Sequence, residues 1–113
     1  MISKELLSEV LGLCCGVKSI RNSEVVYWFN CIGEVRESSI NIYELAHKCK
    51  EWALNYMVDK EIQSTGCIIS SWTHTGDKGH ARILIIDEKF IANTEPEAIF
   101  KACQYIMENK CGS

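Results

Sequence analysis

A chain of 113 residues with a formal charge of -3, 47% apolar and 24% charged residues and a single proline reads as one globular domain spanning 1–113, not as a disordered chain. That length buries about two-thirds of the extended surface, so neither a metal nor a disulfide staple is required. No apolar run approaches the roughly 20 residues of a membrane helix, net acidity disfavours nucleic acid, and Lys4 and Glu5 interrupt any secretory leader, so a cytoplasmic protein off the membrane is expected.

Ser3 can cap a first helix from about Lys4 to Leu13, with Leu6, Val10 and Leu13 on its packed side, and Gly12 near its end with Gly16 after Cys14-Cys15 signals fraying or a stop near residue 13. Asn22 and Ser23 signal a turn. Glu24 to Ile32 is a β-branched and aromatic run, either a strand covered on both faces or one whose second face is an aromatic patch. Gly33 ends it, and Glu34 to Ser39 is a polar link in which Val35 extends the strand or begins a short one.

The stretch Asn41 to Met57 is the strongest helix signal. Ile42, Leu45, Cys49, Trp52 and Tyr56 recur at spacings of three and four, and Asn41 with Glu44 forms a capping box in which Asn41 accepts the Glu44 N–H. Glu44–Lys48 and His47–Lys50 lie on its wet face. After a turn at Gln63 to Gly66, strands are expected at Cys67–Trp72, Ala81–Ile86 and, shorter, Lys89–Ala92, as an antiparallel meander. The Thr73–His80 segment is the hairpin loop between the first two. Thr94 caps a last helix over 95–109, opened by Glu95, Pro96 and Glu97 and lined by the small face Ala98, Ala102 and Cys103. Residues 110–113 are a tail. The fold class is α+β: a mainly antiparallel sheet of three to four strands, packed with two main helices plus an N-terminal one, in the order α-β-α-β-β-(β)-α.

The unit formed by the hairpin, the Phe90 strand and TEPEAIFKACQYIM resembles the C-terminal part of small phage and prophage proteins grouped as phage ABA sandwich domains. Thr94, Pro96, Glu97, Ala98, Ile99 and Ala102 carry the resemblance, and the central helix extends it over about 24–109. It implies a helix–sheet architecture and a phage or prophage setting, with no enzymatic role to carry over.

Seven cysteines, at 14, 15, 31, 49, 67, 103 and 111, are odd in number and form no C-x-x-C pair, so reduced structural thiols are expected. On a helix, Cys49 and His47 point about 200° apart and cannot form a nucleophile–base pair. Cys67 can meet His80 across the hairpin, and Cys14-Cys15 with Cys111 is a soft-metal alternative. His74, Asp77 and His80 offer nitrogen and oxygen ligands for zinc in a small metal-dependent protein or hydrolase, although their spacing matches no established zinc pattern. Lys78, His80 and Arg82 form a cationic cluster open to an acidic surface or nucleic acid. Tyr27, Trp28 and Trp72 are the interface candidates, Trp28 and Trp72 as a pair on one sheet face open to a protein partner or a second copy. The leading expectation is a non-enzymatic binding or accessory protein, without a cofactor, acting through such a surface, self-associated as a homodimer or inhibiting a host protein.

Overall fold

The computed structural model describes residues 2–58, 69–73, 78–83 and 88–108. Among them the chain forms α1 (Lys4–Leu11), β1 (Cys15–Arg21), β2 (Glu24–Cys31), β3 (Glu34–Asn41), α2 (Ile42–Val58), β4 (Ile69–Thr73), β5 (Gly79–Ile83), β6 (Glu88–Ala92) and α3 (Glu95–Glu108). The α+β class holds. Its strands, however, divide into two three-stranded antiparallel sheets, ordered β1-β2-β3 and β4-β5-β6, where one sheet of three or four strands was expected.

The first helix starts as its sequence dictates. The Ser3 hydroxyl accepts the Leu6 N–H at 3.1 Å and donates to Gln104 Oε1 at 2.6 Å, tying α1 to α3. Gly12 adopts the left-handed conformation (φ 69°) and donates to the Ser8 carbonyl at 2.9 Å, so α1 stops at Leu11, two residues earlier than its apolar stripe suggested.

Gly16 does not stop a helix; it lies within β1, directly opposite Trp28. A Cβ there would come within 2.8 Å of the Trp28 indole, so the missing side chain makes room for the ring. Asn22 (φ 49°) and Ser23 (φ 67°) turn β1 into β2, and Ile32 (φ 52°) and Gly33 (φ 77°) turn β2 into β3. Positive φ at both central residues is the signature of the type I′ hairpin turn, whose twist matches that of the paired strands. The polar link after Gly33 is thus a full strand, paired along its whole length from Cys31↔Glu34 to Glu24↔Asn41.

Within β2, Val25, Tyr27 and Phe29 face the helical core, while Val26 and Trp28 face outward. The Asn41 carboxamide accepts the Tyr43 N–H at 2.9 Å rather than the expected Glu44 N–H, and β3 runs straight into α2. On the wet side of α2, His47 pairs with Glu51 at 2.9 Å, not with Lys50. Leu45, Cys49 and Ala53 are fully buried.

The helices lie between the sheets: α1 packs on β1, α2 touches β3 and β4 and runs along α3, and α3 covers all three strands of the second sheet. The cap of α3 is the one its sequence announces, with Thr94 Oγ1 accepting the Glu97 N–H at 3.4 Å. The small Ala98 and Ala102 let the helix sit close to its neighbours, and Cys103 turns to α2. The approach is tightest at Gly79, where a Cβ would lie 2.0 Å from the backbone of Thr94 and Glu95. Gly79 is therefore not a loop glycine but a strand residue that admits the start of α3. The Glu95 carboxylate completes the joint by accepting from Ser71 Oγ at 2.7 Å and Thr73 Oγ1 at 3.2 Å.

Candidate functional site: the outer face of the second sheet

Strand register sorts the second sheet into two faces. Ile69, Ala81 and Ile83 are buried under α3, and Ser71 and Thr73 bond Glu95 of that helix. Because side chains alternate along a strand, the intervening residues point the other way. Two rows result on that outer face: Trp72, His80 and Ile91 across the three strands, and beside them Ser70, Arg82 and Lys89. The first row is aromatic and apolar, the second largely cationic.

This face meets solvent. Trp72 is 37% exposed and Ile91 52% exposed, and Lys89 and Lys78 are also exposed, Lys78 at the head of β5. The Trp72 and His80 rings stack across the β4–β5 pair, with centroids 5.3 Å apart and planes 8° from parallel. Two described carboxylates belong to the helix side: Glu88 is in register with Ile83 and Ile69, and Glu95 is held by Ser71 and Thr73. Among the described residues no carboxylate stands in either outer row.

The expected site residues are distributed as follows. Lys78, His80 and Arg82 do fall together on or beside this face. His74 and Asp77 lie outside the described residues, as do Cys67 and Cys111; His80, the described member of the zinc alternative, spends a ring face on Trp72. Among the described residues no group of three or more His, Cys, Asp or Glu side chains could hold a metal ion.

Trp28 and Trp72 do not share a sheet face, because they belong to different sheets. Trp28 is half-buried over Gly16, with the Lys4 ammonium 5.3 Å from its ring centroid. The neighbouring ion pair Lys18–Glu37 joins β1 to β3. Tyr27 packs inward, its ring 6.1 Å from that of Phe29. Ile91 and Lys89 went unnoticed in sequence because a five-residue edge strand carries too few alternations to define its faces; the phase of the Phe90–Ala92 pair was the available signal.

The described thiols at 14, 15, 31, 49 and 103 are all free. Cys14 is exposed and Cys15 buried, as neighbours entering a strand must be, with the Ser8 hydroxyl donating to the Cys15 carbonyl at 3.0 Å. Burial pushes the Cys15 thiol up. The Cys103 thiol is held well above its ordinary range, first by its hydrogen bonding with Cys49 and then by burial; it donates to the Cys49 carbonyl at 3.4 Å. Neither is poised as a nucleophile.

A concavity of about 420 Å³ lies between α1 and α2 and is lined by Glu9, Val10, Lys48, Glu51, Trp52, Asn55 and Tyr56. Trp52 and Tyr56 stack at 5.3 Å in its wall, one helical turn apart. Among the described residues no helix is long and apolar enough to cross a membrane. Comparison with protein-family models, with curated proteins and with solved structures finds no match.

Proposed function

We propose that this protein is a non-enzymatic binding module whose recognition surface is the outer face of β4, β5 and β6. The observation that carries the reading is the pairing of two unlike rows on one open face: Trp72, His80 and Ile91 beside Arg82 and Lys89. Exposed tryptophan rimmed by cations is the composition of recognition surfaces, where a flat ring supplies area and the charges supply orientation. The buried Cys15, Cys49 and Cys103 thiols and the ring-stacked His80 are poorly placed to act as a nucleophile and a general base. A homodimer built on Trp28 and Trp72 together loses its basis with their separation, while self-association through Trp72 alone stays compatible with this face.

Hydroxyl-radical footprinting tests the proposal, with the chain alone and then mixed with the protein and nucleic-acid fractions of a cell extract. Trp72 and Ile91 are expected to lose reactivity in one mixture, and Trp72→Ala to abolish the protection at Ile91. Protection at Ile32 and Val35 instead, with Trp72 unchanged, overturns the assignment of the face. Native mass spectrometry of the same sample reports whether a second copy is the occupant.

One observation favours a second reading. Ile32, at the tip of the β2–β3 hairpin, is 97% exposed and left-handed, and Val35 beside it is 71% exposed. A β-branched residue there costs stability without any packing in return, a cost that is retained where a side chain has a use. In this reading the tip enters an apolar pocket of a protein partner, which is how an accessory or inhibitory role in a phage setting would be exercised.

A further inference from the structure

We infer that the outer face of β4, β5 and β6 binds single-stranded nucleic acid, an inference that rests on this face being the recognition surface. The whole-chain charge of -3 argues against such a ligand, but the described charged residues of this face are cationic. Lys78, Arg82 and Lys89 gather on or beside this face, and among the described residues the acids Glu88 of β6 and Glu95 of α3 are turned to the helix side. A polyanion approaching here meets the exposed ammonium groups of Lys78 and Lys89.

The aromatic row selects among polyanions. Trp72 and His80 present near-parallel rings, and Ile91 continues the row across the third strand. The cationic row runs beside it, two residues along the strands, about 7 Å away. A nucleotide has the same division, with a π-face at one end and a phosphate at the other. An acidic peptide supplies the charge but not the repeated π-face. A duplex hides its bases in the stack, whereas a single strand can splay them onto a sheet, so the single strand fits. Three short strands, about 10 Å across and 17 Å long, accommodate two or three nucleotides. With the two exposed lysines the affinity should fall with salt at a log–log slope of about -1.4, taking about 0.7 per phosphate contact.

Fluorescence anisotropy with labelled 12-mers of oligothymidylate and oligouridylate, titrated from low to physiological salt, tests the inference, with poly-glutamate as the competitor of matched charge. Expected are binding with that slope, poor competition by poly-glutamate, and about tenfold or greater weakening in Trp72→Ala. Lys89→Gln should reduce the slope by about 0.7, with Ile32→Ser unchanged as the control. Circular dichroism of each variant separates lost binding from lost fold. Absent oligonucleotide binding, or equal competition by poly-glutamate with no effect of Trp72→Ala, overturns the inference. If footprinting still protects Trp72 and Ile91 in the protein fraction, the ligand class fails while the recognition face stands.

Discussion

Replacing Ile32 by asparagine should stabilise the protein, although it removes a large apolar side chain. Ile32 occupies the first central position of the β2–β3 turn with φ 52°, followed by Gly33 with φ 77°. An L-residue in the left-handed region carries a penalty of about 1–2 kcal/mol, and a branched Cβ belongs at the upper end. Asparagine relieves most of it, because its short polar side chain tolerates this region, and Asn-Gly is the preferred type I′ pair. What is lost is small. At 97% exposure Ile32 buries so little surface that, at about 25 cal/mol per Å², the transfer term stays under roughly 0.2 kcal/mol. The net gain is therefore about 1 kcal/mol, equivalent to about 3–5 °C in Tm for a chain of this size. Thermal and urea unfolding followed by circular dichroism measure it. Gly33→Ala is the matched control: a Cβ there meets nothing within 4 Å, so its expected loss of about 1 kcal/mol is a pure backbone effect. An unchanged or lowered Tm in Ile32→Asn, with the loss in Gly33→Ala intact, would refute the assignment of Ile32 as a strained tip.

Gly79→Ala should be far more damaging than Gly33→Ala, since its Cβ would meet the Thr94–Glu95 backbone at 2.0 Å; about 3 kcal/mol or more is expected, and a shift in urea unfolding below 1 kcal/mol contradicts the close approach. Alkaline pH should destabilise the fold through Cys103. Its folded-state pKa is raised, so the unfolded chain releases that proton first; the stabilisation is complete below roughly pH 8.5 and fades above it by up to about 1.4 kcal/mol per unit. Urea unfolding between pH 8 and 10 should therefore show a flatter decline in Cys103→Ala than in the native chain, from a lower starting stability. Parallel curves would show that the thiol is not protected in the fold.

Much of the architecture was legible in the residues. Ser3 and Thr94 cap their helices because a side-chain oxygen three residues ahead of an orphan N–H leaves little alternative, and α2 follows from its apolar spacing. The meander β4-β5-β6 is also as expected, with boundaries shifted by one or two residues at the described ends. The first sheet was largely hidden. β3 (EVRESSIN) is exposed at seven of its eight positions, so no face of it is apolar and no alternation marks it. β1 carries a glycine and an irregularity between Val17 and Ser19, and is a strand through its pairing with β2. The turn residues Asn22 and Ser23 on one side of the aromatic run and Gly33 on the other are the trace these hairpins leave in the sequence.

The site divides in the same way. Sequence placed Lys78, His80 and Arg82 near one another because they are neighbours in the chain, a proximity any strand would preserve. It could not pair Trp72 with His80, set Ile91 and Lys89 beside them, or move Trp28 to another sheet, because those relations belong to inter-strand register. Local chemistry is a matter of a few consecutive residues and is written where it acts. A face of a sheet is assembled from strands brought together by the packing of α3, through contacts such as the one at Gly79, and only the folded chain fixes which side chains stand on it.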